Sequence, residues 1–115
     1  KLSPDEVVAR IRQDIDQNYP QPLKVSSYAK KYFFTQEYLT RLFRQHYEMT
    51  IQEYLLMVRM TRAKELLENP SIKIQEVAAR VGYSDNNYFS KAFRNFFGIT
   101  PTDCRNKCFV SRNTK

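Results

Sequence analysis

The chain has 115 residues, 42% of them apolar, with only 2 Gly and 5 Pro, which suits one modest core and excludes a disordered or loop-rich chain. Its 19 Lys and Arg against 12 Asp and Glu give a formal net charge of +7. That balance implies an acidic partner, nucleic acid ahead of an anionic membrane surface.

Ser3-Pro4-Asp5-Glu6 opens a helix: Ser caps, Pro takes the first helical position and Glu6 closes a capping box. Val7, Val8, Ile11 and Ile15 then share one face to about Gln17. Pro20 and Pro22 make the following stretch a connector. A short helix is expected from Val25 to about Lys31, then a turn at Tyr32-Phe33-Phe34. Thr35 caps a second helix to about His46, with Leu39, Leu42 and Phe43 inward. A second capping box, Thr50 to Glu53, starts the longest helix, which runs to about Glu68 and is stopped by Asn69-Pro70. Its apolar residues Leu55, Val58, Ala63, Leu66 and Leu67 exceed the needs of a one-sided helix, as expected of a central strut. The order then recurs: a short helix from Ile74 to Arg80, a turn at Val81-Gly82-Tyr83, and a cap at Ser84 or Asp85. The helix that follows is expected to carry Phe89, Ala92, Phe93 and Phe96 inward and to end at Gly98 in the left-handed conformation. Thr100-Pro101 starts a last helix to about Lys107, with a frayed tail over 110–115. No strand period competes, so the chain reads as all-α.

Two stretches fifty positions apart repeat one phrase. Tyr38-Leu39-Thr40-Arg41-Leu42-Phe43-Arg44 is answered by Tyr88-Phe89-Ser90-Lys91-Ala92-Phe93-Arg94. Two copies are too few for a solenoid, which needs three or more. Each copy is a short helix, a tight turn and a longer helix, the layout of a helix-turn-helix. Ala29 and Ala78 are small enough to let the second helix cross closely, and Gly82 can adopt the positive φ a tight turn needs. The segments divide into a first subdomain over about 5–49, a linker helix over 50–68 and a second subdomain over 70–109.

The outer faces carry the chemistry. Glu37, Thr40, Arg41 and Arg44 follow i, i+3, i+4, i+7 spacing, and so do Asn87, Ser90, Lys91 and Arg94. Arg41 and Lys91 can reach guanine O6 and N7, Asn87 can bond adenine N6 and N7, and Thr40 and Ser90 can bond bases. Glu37 can accept only from an amino group such as cytosine N4. Arg44 and Arg94, one turn on, suit phosphates, as do Lys30 and Lys31. A charged outer face alone is usually only solvated. Two matched faces behind two turns, in a basic chain, point instead to nucleic acid.

From about Leu23 to Arg105 the chain resembles the DNA-binding domain of the AraC/XylS family of bacterial transcription regulators. The residues that carry the resemblance are Ile74–Asp85, then Tyr88–Arg94, then Phe97-Gly98-Ile99-Thr100-Pro101 and Arg105. It implies seven helices, arranged as two helix-turn-helix subdomains joined by a long linker helix. It also implies that both second helices enter successive major grooves, with base-reading candidates Glu37, Thr40 and Arg41, then Asn86, Asn87, Ser90 and Lys91. A separate sensing or dimerisation domain is expected to be missing from this chain, which begins at Lys1 rather than Met. The first copy departs from the pattern: Phe33 stands where the second has Gly82, and Glu48 where it has Gly98. Its turn must be made differently or carry strain. Lys24 and Lys73 stand where a Ser or Thr cap is preferred.

The alternative is a basic interaction module docking on an acidic partner such as RNA polymerase. Enzymatic function has no support: there is one His, no Gly-rich phosphate loop and no paired carboxylates or metal constellation, so no cofactor or metal is expected. Cys104 and Cys108 are expected to be reduced thiols, in keeping with a cytoplasmic protein. No signal peptide and no apolar run near the ~20 residues of a membrane span is present.

Overall fold

The computed structural model describes residues 2–113, with side chains described through Lys107. The chain is all-α: among the described residues there are seven helices and no strand. They are α1 (Pro4–Asn18), α2 (Val25–Tyr32), α3 (Gln36–Tyr47), α4 (Ile51–Leu67), α5 (Ile74–Arg80), α6 (Asn86–Phe97) and α7 (Pro101–Asn113). No helix among the described residues is long and apolar enough to cross a membrane. The chain divides into two compact units, Lys1–Val58 and Arg59–Lys115, and the division falls within α4.

The first unit starts from the Ser3 capping box. The Glu6 N–H donates to Ser3 Oγ at 3.2 Å, and the Ser3 N–H donates to Glu6 Oε1 at 3.1 Å. Two of the donors that a helix start leaves without partners are thereby satisfied. Val7, Val8, Ile11 and Ile15 are buried against Tyr28, Ala29, Leu39, Leu42, Phe43, Ile51 and Tyr54. Two phenols tie α1 to the rest of the unit. Tyr28 Oη donates to Asp14 Oδ2 at 2.6 Å, and Tyr54 Oη donates to Asp16 Oδ1 at 2.5 Å. Burial, followed by the Asp14 bond, raises the Tyr28 phenol, and burial followed by Asp16 raises Tyr54. His46 Nε2, near the end of α3, lies 2.9 Å from Asp5 Oδ1 at the start of α1.

The second unit buries Met60, Ala63, Leu67, Ile72, Val77, Ala78, Val81, Phe89, Phe93 and Cys104. Arg105 reaches back from α7 to the end of α4, donating from Nε to the Leu67 carbonyl at 2.9 Å and from Nη2 to the Asn69 carbonyl at 3.1 Å. A helix end leaves such carbonyls without intrahelical partners, and a cation there also offsets the negative end of the helix dipole. Cys104 is buried in this core, while the Cys108 side chain lies outside the described residues.

Three expectations need correction. Phe96 does not face inward: it is 40% exposed, and Phe97 takes the inner position with its ring 4.7 Å from that of Phe93. The inner stripe of α6 advances by four residues each time, Phe89 to Phe93 to Phe97, whose rings pack in sequence. A stripe of that spacing leaves the i+7 position, Phe96, to one side. Helix α7 runs beyond Lys107 to Asn113; of the tail expected to fray, residues 114 and 115 lie outside those described. Tyr54 and Met60, absent from the expected inner set of α4, are buried, whereas Leu55 and Val58 are only half-buried.

Candidate nucleic-acid interface

Both second helices start from a capped N-terminus behind a turn anchored on an alanine. In the first copy the Phe33 and Phe34 N–H groups both donate to the Ala29 carbonyl, the latter at 2.9 Å. In the second, the Tyr83 N–H donates to the Ala78 carbonyl at 2.9 Å. Gly82 has φ 103°, and Phe33 has φ 63°. Both turns therefore pass through a residue of positive φ, and in the first that residue is a phenylalanine, for which the conformation is strained. Glu48 repeats the substitution at the end of α3, with φ 60° against 82° for Gly98 at the end of α6. Both donate their N–H to the arginine carbonyl four residues back, Arg44 and Arg94.

Thr35 Oγ1 accepts from the Tyr38 N–H at 3.1 Å to cap α3. Asp85 Oδ1 caps α6, accepting from Asn87 N–H at 2.8 Å and from Tyr88 N–H at 3.2 Å. Lys24 and Lys73, at the starts of α2 and α5, make no side-chain cap. The caps therefore favour the longer helix of each pair, and they fix the backbone from which the outer side chains project.

On α3 the outer face is one shallow, open depression lined by Gln36, Glu37, Thr40, Arg41, Arg44 and Gln45. All four residues that the spacing singled out meet there. The Arg41 guanidinium also lies 5.7 Å from the centroid of the Tyr38 ring. On α6 the corresponding depression is lined by Asp85, Asn87, Tyr88, Lys91, Ala92 and Asn95. Asn87 and Lys91 are brought together, and Ala92, expected inward, is only half-buried and lines this surface with them. Ser90 is half-buried and Arg94 exposed, and neither lines this depression. Asn86 lines a different groove, shared with Lys73, Gln75 and Ser84 between α5 and α6. Lys30 is exposed on α2, while Lys31 lines a cleft with Arg10, Gln13 and Asp14, its ammonium 5.4 Å from the Tyr32 ring centroid. Lys31 is thus not brought into the α3 depression.

Gln36, Gln45, Tyr88 and Asn95 belong to these surfaces but escaped the i, i+3, i+4, i+7 template. Gln36 precedes it, Gln45 and Asn95 lie one residue past its end, and Tyr88 follows its first member. Extending the template by a residue at each end would have found Gln36, Gln45 and Asn95. Each depression combines cationic, amide, hydroxyl and carboxylate groups, and its cations, amides and hydroxyls are of the kinds that read base edges and phosphates. Among the described residues, no group of three His, Cys, Asp or Glu side chains could hold a metal ion.

Two capped polar helices, each behind a tight turn, define a tandem helix-turn-helix domain. A helix-turn-helix domain family matches residues 28–107. The Msm operon regulatory protein of Streptococcus mutans is 42% identical over 98 residues, covering 85% of this chain and 35% of that protein. The C-terminal domain of AraT, a response regulator from Geobacillus stearothermophilus, matches with a TM-score of 0.83 at 35% identity, covering 93% of this chain and 88% of the other. A transcriptional regulator from Chromobacterium violaceum, described among AraC-type DNA-binding domain-containing proteins, matches with a TM-score of 0.76 at 28% identity over 90% and 93% of the two chains. This chain belongs to the AraC/XylS family of transcription regulators, as its helix-turn-helix DNA-binding domain. It spans about a third of the length of the curated relatives it matches.

Proposed function

We propose that the chain binds a specific double-stranded DNA sequence, with α3 and α6 reading base edges in successive major grooves, as the DNA-binding part of a longer bacterial transcription regulator. The single observation that carries this is the matched pair of outer faces, each capped at its start and backed by an apolar stripe. In this reading Glu37, Thr40 and Arg41 contact bases from α3, and Asn87 and Lys91 from α6 with Asn86 and Ser90 at its margin. Arg44, Arg94, Lys30 and Lys31 engage phosphates. Residues of about 5–49 and 70–109 then act as two reading subdomains, with 50–68 as the helix between them. The site of action is the cytoplasm, where bacterial DNA is found.

The greater length of the relatives supports a sensing or dimerisation domain outside this chain. Contact with RNA polymerase is a separate role that the same regulator can combine with DNA reading. Titrating the chain against a selected duplex and a random duplex, with Arg41→Ala and Lys91→Ala variants, tests the proposal. Loss concentrated on the selected duplex supports base reading. Equal loss on both reduces these residues to phosphate contacts, and retained RNA polymerase binding without any duplex affinity at low salt replaces the reading altogether.

A further inference from the structure

The two copies treat the same tyrosine differently. In the first, the Phe34 ring meets Tyr38 edge-on, with centroids 5.2 Å apart, and Arg41 covers the same ring. Tyr38 is half-buried as a result. In the second, the turn aromatic with the same hydrogen bond to the alanine carbonyl is Tyr83, but Ser84 adds a residue, so Tyr83 precedes Tyr88 by five positions where Phe34 precedes Tyr38 by four. Tyr83 packs instead on Phe89, with centroids 5.6 Å apart. Among the described residues no ring or cation packs on Tyr88, which is 70% exposed.

A single exposed ring is ordinary on a protein surface; what distinguishes this one is its position. Tyr88 does not stand on a neutral part of α6. It lines the same depression as Asn87, Lys91 and Asn95, beside the Ala92 methyl. Its backbone N–H is held by the Asp85 cap, which fixes where the ring starts. Tyr88 and Ala92 thus bring apolar groups to a surface that also carries the Asp85 carboxylate, the Asn87 and Asn95 amides and the Lys91 ammonium. In the major groove, only one base edge presents an apolar group next to acceptors and donors: thymine, through its C5-methyl. The α3 depression, lined by Gln36, Glu37, Thr40, Arg41, Arg44 and Gln45, has no ring in its lining.

We infer that Tyr88, with Ala92, is a specificity-determining contact that selects thymine by packing on its C5-methyl, in the box read by α6 and not in the box read by α3. This rests on the DNA reading proposed above. Selections from randomised duplexes with the wild-type chain and with Tyr88→Ala test it, followed by replacement of the selected thymine by uracil, which removes only the methyl. Thymine should be enriched at one position of one box by the wild type and lose its preference there in Tyr88→Ala, with the rest of the box kept. Uracil should weaken the wild type about 4- to 10-fold, the worth of one buried methyl contact, and leave Tyr88→Ala unaffected. Tyr88→Phe should keep the preference, because the hydroxyl is not used. The uracil comparison with the wild-type chain needs no variant to fold. An unchanged preference in Tyr88→Ala overturns the inference. So does uniform weakening of all duplexes by Tyr88→Phe, which would make the hydroxyl a phosphate contact. Failure of the wild type to enrich any duplex overturns the DNA reading itself, and that outcome is distinct from an altered preference at one position.

Discussion

The guanidinium of Arg41 lies 5.7 Å from the centre of the Tyr38 ring, and Phe34 meets that ring edge-on from the turn. The turn, the helix start and the candidate base reader are therefore mechanically linked in the first copy. A planar cation stacked on a ring keeps its donor fork oriented, which a lysine ammonium cannot reproduce. Arg41→Ala is expected to weaken binding to the selected duplex by about 5- to 150-fold, the range of one bidentate base contact. Arg41→Lys should recover only part of that loss. Anisotropy titrations on selected and random duplexes measure both, and full recovery by Lys would show that only the charge matters.

Arg44 and Arg94 stand one turn beyond the base-reading positions and are exposed. Replacing either by Ala is expected to weaken all duplexes alike and to lower the slope of log K against log salt by about 0.9. A loss confined to one sequence would move that arginine into the base-reading set.

Phe33 is 93% exposed and holds φ 63°, so its ring contributes little packing while its backbone is strained. Relief of a left-handed conformation is worth about 1–2 kcal/mol, and the added chain entropy of Gly takes back about 0.5–1 kcal/mol. Phe33→Gly is therefore expected to stabilise the chain by about 0.5–1 kcal/mol on balance. Gly98→Ala should do the opposite: a Cβ there meets nothing within 4 Å, yet φ is +82°. Urea midpoints read both changes. A destabilised Phe33→Gly chain would mean that the ring makes a contact the folded state needs.

Glu6 and Glu53 each close a capping box, and in each case the N-cap backbone N–H bond to the carboxylate, ahead of the cap hydroxyl, holds the glutamate below its usual range. A carboxylate lowered in the folded state contributes stability that is fully present above the ordinary glutamate range, about pH 4.3, and is lost as pH falls through the lowered folded value. The stability gap between the wild type and a Glu6→Gln, Glu53→Gln double variant should therefore be widest near neutrality and close on acidification toward pH 3. Thermal midpoints across that range check it, and a gap independent of pH would remove the carboxylates from the caps.

Capping boxes were legible in the sequence because they rest on local chemistry: Ser3 with Glu6, and Thr50 with Glu53, need no tertiary context. The same is true of Gly98 at the end of α6. What local pattern could not show was where tertiary packing overrides preference. Phe33 and Glu48 take a positive φ as Gly82 and Gly98 do, because the chain leaves each helix at the corresponding point in both copies. Phe96 loses the inner position to Phe97 because the rings of α6 stack every fourth residue. On the outer face of α3 the spacing singled out Glu37, Thr40, Arg41 and Arg44, which share one surface, but not Gln36 and Gln45 beside them. The outer face of α6 was legible only for Asn87 and Lys91, since the added Ser84 changes which residue Tyr83 packs on and leaves Tyr88 at the surface.

The most direct test of two-helix DNA reading is selection of the wild-type chain against randomised duplexes, followed by scrambling each enriched stretch in turn. The expected result is two short boxes with centres about 10 base pairs apart, each of which lowers affinity when scrambled. A single sufficient box, or no enrichment over random duplex at low salt, would contradict it.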